Sequence, residues 1–291
     1  MWLIWALVAV TAFFALIYVK DFLVRRTEDN SNAIIAIGIG FLTDFFDTLG
    51  IGSFAPTTAL LKFTKQVDEK LLPGTLNVSH TIPVVIEAII FITAVEVETV
   101  TLVTLIFASV VGSYLGAGII SKLPKRAVKI VMGFAMILVA IIMILSEMGI
   151  IAGLGAGNEA TGLSGVTLII SAVIFFVLGA LMSAGVGLYA PAMATVYFMG
   201  LSPLVAFPIM MGSCAFLMPV GSSKFIKEKS YAPKLSMFIT LGGVVGVIIA
   251  AFFVKSMELA LLTKLVICVV IVTGSVMLYE AFVKDVKNTN D

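Results

Sequence analysis

Charged residues are scarce in this sequence of 291 residues, and cysteine and histidine are scarcer still. Charged residues make up 12% of the chain and hydrophobic residues 60%, with a mean hydropathy of +1.17. This composition excludes an ordinary soluble globular domain and offers nothing typical of a nucleic-acid-binding protein. The two cysteines, Cys214 and Cys268, fall within apolar runs, so neither a disulfide scaffold nor a thiolate metal site is indicated.

Alternation of polar and apolar residues is also missing from the hydrophobic runs, which argues against β-strands. The runs are continuous and roughly 20 residues long, enough to cross the hydrocarbon layer as helices. They lie at Trp2 to Val19, Leu76 to Val95, Thr99 to Ile120, Ile130 to Leu145, Val166 to Leu188, Leu204 to Val220, Leu235 to Val254 and Ala260 to Phe282. The predicted fold class is an all-α polytopic membrane protein.

One glycine-rich motif occurs twice. Gly50 to Pro56 reads G-I-G-S-F-A-P, and Gly185 to Pro191 reads G-V-G-L-Y-A-P. The two prolines are 135 residues apart, close to half the chain. Matched motifs at this separation indicate a duplicated unit.

The positive charges predict how the two halves are oriented. Lysine and arginine cluster at Lys20 to Arg26, Lys62 to Lys70, Lys122 to Lys129, Lys224 to Lys234, and Lys284 to Lys287. If all five face the cytoplasm, residues 32–61 must enter and leave from the cytoplasmic side, and residues 166–199 from the outside. Each half is then a broken-helix hairpin followed by three transmembrane helices, and the second half is inverted. Inverted repeats with broken helices are typical of secondary transporters.

This interpretation fixes the predicted domain organisation. It comprises an N-terminal helix and basic cytoplasmic loop over 1–31, repeat 1 over 32–148, an external linker over 149–165, repeat 2 over 166–283 and a cytoplasmic tail over 284–291. The first run has no basic residue before it, which predicts a retained helix with its N-terminus outside rather than a signal peptide. The expected location is the plasma membrane, with the C-terminus in the cytoplasm.

Each motif predicts a turn that leads into a new half-helix. Glycine permits backbone conformations closed to other residues, and Pro56 and Pro191 suit the first turn of a helix. Ser53 is expected to cap the first half-helix, whose free N–H groups would suit an anion. The alternative is that glycine and proline merely kink packed helices, but matched copies favour a site. Small-xxx-small spacing assigns four other glycines to helix packing: Gly112, Gly116, Gly242 and Gly246.

Two acidic residues, Asp44 and Asp47, precede the first turn. A carboxylate near the bilayer centre costs about 2.5 to 3.5 kcal/mol even on the mildest insertion scale. We therefore expect both acids to bind a proton or sodium ion or to gate the substrate. The alternatives are a position near the interface, or pairing with Lys62 or Lys65.

The only histidine, His80, lies in a polar patch that begins at Thr75 and Asn77 and is followed on nearly the same helix face by Glu87. A lone histidine is usually a satisfied hydrogen-bonding residue, but in a membrane helix it is a candidate proton carrier or anion donor. The corresponding segment of the second half, Pro208 to Cys214, has no ionisable group apart from its cysteine thiol. Tyr189 and Ser213 remain as candidate donors there.

The paired turns, each followed by a G-T or G-S helix start, resemble the sulfite exporter TauE/SafE family of anion permeases. The resemblance implies that the two turns and the helix starts Gly74-Thr75 and Gly212-Ser213 bind a sulfur oxyanion, an organosulfonate or a related organic anion. The glycine run of the first turn is shorter than in the family, and Asp44, Asp47 and His80 are additions.

The predicted function is export of a small anion by alternating access around a midplane site, coupled to a proton or sodium ion. The predicted substrate residues are Gly50, Gly52, Ser53, Pro56, Thr57, Thr75, Asn77, Gly185, Gly187, Tyr189, Pro191, Gly212 and Ser213, and the coupling residues are Asp44, Asp47, His80 and Glu87. A cation transporter that uses the same acids is the alternative. An intramembrane enzyme is disfavoured because the D-x-x-D pattern has no second acidic cluster. Neither a cofactor nor a metal is predicted, and a homodimer is left open.

Overall fold

A computed structural model of the protein describes residues 2–120, 125–148, 158–183, 188–256 and 258–284. The α-helices are α1 Trp2–Arg25, α2 Ala33–Thr48, α3 Phe54–Thr64, α4 Leu72–Ala94, α5 Thr99–Ile120, α6 Lys125–Glu147, α7 Gly165–Ser183, α8 Tyr189–Phe198, α9 Ala206–Lys227, α10 Pro233–Lys255 and α11 Leu259–Tyr279. Within the described residues, 7 helices are long and apolar enough to cross a membrane, by length and composition. The all-α polytopic fold is confirmed.

The helices form two compact units. Unit 1 comprises Met1–Ala94 and Cys214–Ser256, and unit 2 comprises Val95–Ser213 and Met257–Asp291. Each unit therefore takes segments from both halves of the chain. The boundaries of the two sequence repeats and their inverted orientation remain predictions.

In unit 1, α2 and α3 form a helical hairpin. The backbone N–H of Asn32, just before α2, donates to Oε1 of Gln66, just after α3, over 2.7 Å. The Asn32 side chain also caps α2 by accepting from the N–H groups of Ile34 and Ile35. At 1.5 Å per residue, the 16 residues of α2 span only about 24 Å, too short to cross the hydrocarbon layer. The hairpin predicted for residues 32–61 is present, and its second arm extends to Thr64.

Two helices of unit 1, α2 and α10, approach each other at backbone distance. A methyl group at Gly40 would overlap the backbone carbonyl of Ile239. Gly242 and Gly246 of α10 meet the backbone of α2 in the same way. Their predicted role in helix packing is therefore confirmed, since only glycine permits this approach.

The first turn of α10 is capped by a residue far away in sequence. Ala232 at the cap position has no side-chain acceptor, and Pro233 needs none because it lacks an N–H. Oδ2 of Asp29 accepts from the N–H groups of Lys234 and Leu235 over 2.8 and 3.2 Å. The loop between α1 and α2 thus supplies the missing cap.

The same end of unit 1 gathers three basic segments, 20–26, 62–70 and 224–234. Besides the Asp29 contacts, the Tyr231 hydroxyl donates to Oδ2 of Asp21 over 2.5 Å. Burial raises the pKa of the Tyr231 phenol, so it remains a donor at neutral pH. The backbone contact of Asn32 with Gln66 brings the third segment to this end. The grouping follows the pattern expected of cytoplasmic loops.

In unit 2, α7 and α8 form a second hairpin. Hydrogen bonds join the residues just before α7 to those at the end of α8. The N–H of Ser202 donates to the carbonyl of Ala160 over 2.8 Å. The Asn158 amide donates to the carbonyl of Tyr197, also over 2.8 Å. The structure describes α7 to Ser183, and Leu188, the last residue of the predicted apolar run, lies in a bend just before α8; residues 184–187 lie outside the described residues.

The helices α5 and α7 of unit 2 pack as closely as α2 and α10 do in unit 1. A methyl group at Gly112 would overlap the backbone carbonyl of Phe176, and one at Gly179 would overlap that of Ser109. The packing role of Gly112 is confirmed, while the surroundings of Gly116 lie outside the described residues. Each unit thus contains one tightly packed pair formed by one helix from each half of the chain.

Candidate functional site

The break between α2 and α3 lies inside unit 1. Gly50 is buried, and Gly50 and Gly52 have φ of 93° and 90°. This left-handed region strains any residue with a side chain. Pro56 is the third residue of α3, in the first turn, as predicted. The predicted interruption of the helix is therefore confirmed here.

Asp44 and His80 form a fully buried pair. Oδ1 of Asp44 on α2 lies 2.7 Å from Nδ1 of His80 on α4, and both side chains have 0% exposure. The alternative pairing of the acids with Lys62 is wrong, because the Lys62 ammonium binds Glu69 instead. Lys62 thus pairs with Glu69 at the surface, and Asp44 pairs with His80 in the interior.

The second nitrogen of His80 contacts the other arm of the hairpin. Nε2 lies 3.0 Å from Oγ1 of Thr57 on α3, and the Phe54 ring lies 5.8 Å from the imidazole between centroids. When the ring is neutral, Nδ1–H donates to Asp44 and Nε2 accepts from the Thr57 hydroxyl. Three helices therefore fix the position and tautomer of one imidazole, an arrangement suited to binding and releasing a proton.

Asp47 lies at the first turn of α3. It is 2% exposed, and its Oδ2 accepts from the Ser53 hydroxyl over 3.1 Å. Ser53 occupies the cap position of α3 but makes no side-chain cap bond. The prediction that Ser53 caps α3 with its side chain is therefore wrong, because the carboxylate engages the hydroxyl. An acidic side chain of the protein itself thus faces the positive end of the α3 dipole.

Glu87 joins the same region through Thr48. Oγ1 of Thr48 lies 2.8 Å from Oε1 of Glu87 and 2.8 Å from the backbone carbonyl of Asp44. Thr48 and Glu87 are both 0% exposed. The four predicted coupling residues are thus all buried in unit 1 close to the first turn.

The second oxygen of Asp44 faces α10. Oδ2 of Asp44 has no hydrogen-bond partner among the described residues. A methyl group at Gly243 would overlap this oxygen and would lie 3.0 Å from Cγ of Pro83. Gly243 therefore leaves the space that the carboxylate occupies, a role that sequence reasoning missed. The double glycine at 242–243 was the available signal.

Residues 1–143 match the family model described as Sulfite exporter TauE/SafE. Over these residues the chain is similar to the TauE/SafE family. The match covers α1 to α5 and most of α6, and so includes the first turn and the Asp44–His80 pair. No curated protein and no solved structure matches the chain. The match and the seven apolar helices together support a membrane transport protein.

The first helix start carried over from the TauE/SafE resemblance makes contacts with backbone. A methyl group at Gly74 would overlap the carbonyl of Ser230. Oγ1 of Thr75 donates to the carbonyl of Leu71 and accepts from the N–H of Ala232. The Asn77 amide donates to the backbone of its own helix. A role of Thr75 and Asn77 in substrate binding remains a prediction.

The TauE/SafE positions of the second half lie in unit 2. Leu188, just before α8, and Pro191 in its first turn are buried. Tyr189, Gly212 and Ser213 are also buried, and the Ser213 hydroxyl donates to the carbonyl of Ile209 over 2.7 Å. Gly185 and Gly187 lie outside the described residues.

Sequence reasoning also missed the hydroxyl groups of neighbouring helices that contact the polar patch of α4 in unit 1. Thr81 and Ser222 of α9 lie 2.7 Å apart between their hydroxyl oxygens. The Thr240 hydroxyl of α10 donates to the carbonyl of Ser79 over 2.7 Å and lies 3.2 Å from the Tyr18 hydroxyl. These contacts join α4 to its neighbours on both sides of His80. Isolated hydroxyl residues in apolar runs were the only signal.

Proposed function

We propose that the protein is a secondary transporter that exports a small anion, such as sulfite, an organosulfonate or a related organic anion, by alternating access. The observation that carries the proposal is the interrupted helical hairpin in a chain similar to the TauE/SafE family. Non-helical backbone within a membrane segment is tolerated only where protein or a wet cavity surrounds it. In secondary transporters such breaks lie at the substrate site.

Two features of the breaks support an anion as substrate. The first turns of α3 and α8 both contain a proline and begin after a glycine-rich segment. Helix N-termini offer uncommitted N–H groups and a partial positive charge. We propose that each of these turns supplies backbone donors to an anion.

The same proposal includes an orientation. The basic segments 20–26, 62–70 and 224–234 share one end of unit 1. In unit 2, Lys129 pairs with Glu280 over 3.1 Å, which places the start of α6 beside the end of α11. Placing these basic ends in the cytoplasm puts the N-terminus outside and the C-terminus inside the plasma membrane.

A cation transporter is the second candidate, and one observation favours it. Asp44 and Asp47 are buried and pair with no lysine or arginine in the part of the chain that the structure describes. Buried carboxylates of this kind mark ion pathways in membrane proteins. The two candidates differ in whether anion flux or cation flux is the primary event.

Efflux from proteoliposomes decides between the two. Vesicles are loaded with labelled sulfite or an organosulfonate, and efflux is followed with and without sodium and pH gradients. We expect saturable anion efflux that protein-free vesicles lack. Flux of a cation with no anion movement would favour the second candidate, and no flux of either would overturn the proposal.

A matched pair of glycine variants tests whether the turn carries the activity. A methyl group at Gly52 or Gly38 meets no atom within 4 Å, but Gly52 has φ of 90° and Gly38 lies within α2. Gly52→Ala strains the turn by about 1–2 kcal/mol and should reduce efflux strongly. Gly38→Ala should leave efflux unchanged. Equal activity of the two variants would remove the turn from the mechanism.

A further inference from the structure

Building on the proposed function, we infer that the coupling ion is a proton and that it is carried by the Asp44–His80 pair with Thr57 as its positioning residue. We call Asp44, Asp47, His80 and Glu87 the acid–imidazole cluster. All four side chains are at most 2% exposed and lie in one unit. The inference goes beyond the proposal because it names the ion, the atoms that take it and the residue that orients them.

Thr48 joins Asp44 to Glu87 within the cluster. Its hydroxyl carries one hydrogen, yet Oγ1 lies 2.8 Å from two acceptors, the carbonyl of Asp44 and Oε1 of Glu87. If the hydroxyl donates to the carbonyl, the contact with Glu87 becomes a hydrogen bond only when the carboxyl is protonated and donates to Oγ1. A hydrogen shared between the two acceptors serves both contacts without that proton, so the Asp44–His80 pair carries the inference.

The proton that moves binds to His80. Both nitrogens of His80 are engaged, with Nδ1 on Asp44 and Nε2 on Thr57. Uptake of a proton forms an N–H bond at Nε2, which then donates to Oγ1 of Thr57, while the threonine hydroxyl hydrogen turns to another acceptor. The positive imidazolium is balanced by the Asp44 carboxylate at 2.7 Å. No other bond is broken, so uptake is reversible.

The charge around the cluster favours proton binding. From α2 the facing titratable groups are Asp44 and Asp47, and from α4 they are His80 and Glu87. The helix α3 contributes the hydroxyls of Ser53 and Thr57, α10 contributes Gly243 and Thr240, and α1 contributes Tyr18, bound to Thr240. Burying carboxylates without matching positive charge is costly. Binding a proton lowers that cost, because it neutralises a carboxylate or places a positive imidazolium beside it.

A sodium ion or a divalent metal fits these residues poorly. Such cations need several oxygen ligands that point at one centre. The Ser53 hydroxyl is directed to Asp47, and both nitrogens of His80 are used. Among the described residues no group of three His, Cys, Asp or Glu side chains could hold a metal ion.

The wild-type protein provides the first test. Proteoliposomes held at zero potential with potassium and valinomycin receive a sulfite gradient, and a trapped pH dye follows protons. We expect proton movement to accompany anion flux whether or not sodium is present. With one proton per monovalent anion, a pH step of one unit should sustain an anion gradient of about tenfold. Anion flux without proton movement, or with strict sodium dependence, would overturn the inference while leaving the proposed function intact.

Variants then locate the carrier. His80→Gln removes the nitrogen that takes the proton, and Asp44→Asn removes the carboxylate that balances the imidazolium, so net flux driven by a pH gradient should fall at least about tenfold in each. Exchange of internal for external anion should persist, because it needs only the loaded protein to change conformation. Retained exchange also shows that the variant is folded. Proton-driven net flux that survives in both variants would overturn the assignment.

Two neighbouring threonines separate the positioning role from a structural one. Thr57→Val removes the partner of Nε2, whereas Thr58→Val removes a hydroxyl that only donates to the carbonyl of Phe54 in its own helix. We expect Thr57→Val to shift the pH profile of net flux and Thr57→Ser to restore it. Thr58→Val should keep the wild-type profile. An unchanged profile in Thr57→Val would overturn the positioning role.

Discussion

The contact between Gly243 and Asp44 predicts the cost of adding one methyl group. In Gly243→Ala the new carbon would overlap Oδ2 of Asp44 and approach Cγ of Pro83. Either α10 moves away from α2, or the carboxylate turns from His80. Overpacking of this kind costs about 1–3 kcal/mol, and the gain in helix propensity returns only about 1 kcal/mol.

The net loss should appear in thermal unfolding. A net loss of up to about 2 kcal/mol corresponds to a fall in Tm of up to about 8 °C for a chain of this size. Tm is measured by intrinsic fluorescence of the purified protein in detergent. Gly38→Ala is the control, because its methyl group meets no atom within 4 Å, and it should be neutral or stabilising. The reasoning fails if Gly243→Ala is as stable as Gly38→Ala and also retains proton-driven flux.

Three further changes test other contacts. Asp29→Ala should lower the free energy of unfolding by about 1–2 kcal/mol through loss of the α10 cap, and Asp29→Asn should lower it less; equal Tm values would contradict the cap. Gly40→Ala forces the backbones of α2 and α10 apart and should lower Tm more than any single side-chain deletion nearby. Gly38→Ala is the control, because its methyl group meets no atom within 4 Å. Ser53→Ala should lower the free energy of unfolding by about 1–3 kcal/mol, because Asp47 loses a hydrogen-bond donor. A loss of only about a few tenths of a kcal/mol would indicate that the Asp47 carboxylate is hydrated instead.

The helices and their breaks could be predicted because their signals are local. Hydropathy marks each long helix, and Gly50, Gly52 and Pro56 mark the first turn within seven residues of one another. The small-residue spacing of Gly242 and Gly246 also sits within one helix. Such features depend on neighbours in the chain, so a sequence alone reveals them.

The partners of the buried acids could not be predicted because they depend on tertiary packing. Asp44 and His80 are 36 positions apart on different helices, and no periodicity connects them. Ser53 has the residue type and position of a cap, yet a carboxylate six residues earlier competes for its hydroxyl. The role of Gly243 appears only when α10 is placed against α2. Sequence thus identified the ionisable residues but not the bonds that define their chemistry.

The cap that Asp29 provides to α10 changes how the loop between α1 and α2 should be regarded. This short connection looks like a place where added residues or a protease cut would be harmless. Its carboxylate is instead bonded to amides 205 and 206 positions further along the chain. An insertion there would be felt at the start of a distant helix, so an epitope tag or reporter placed in this loop should disturb the protein more than its exposed position suggests.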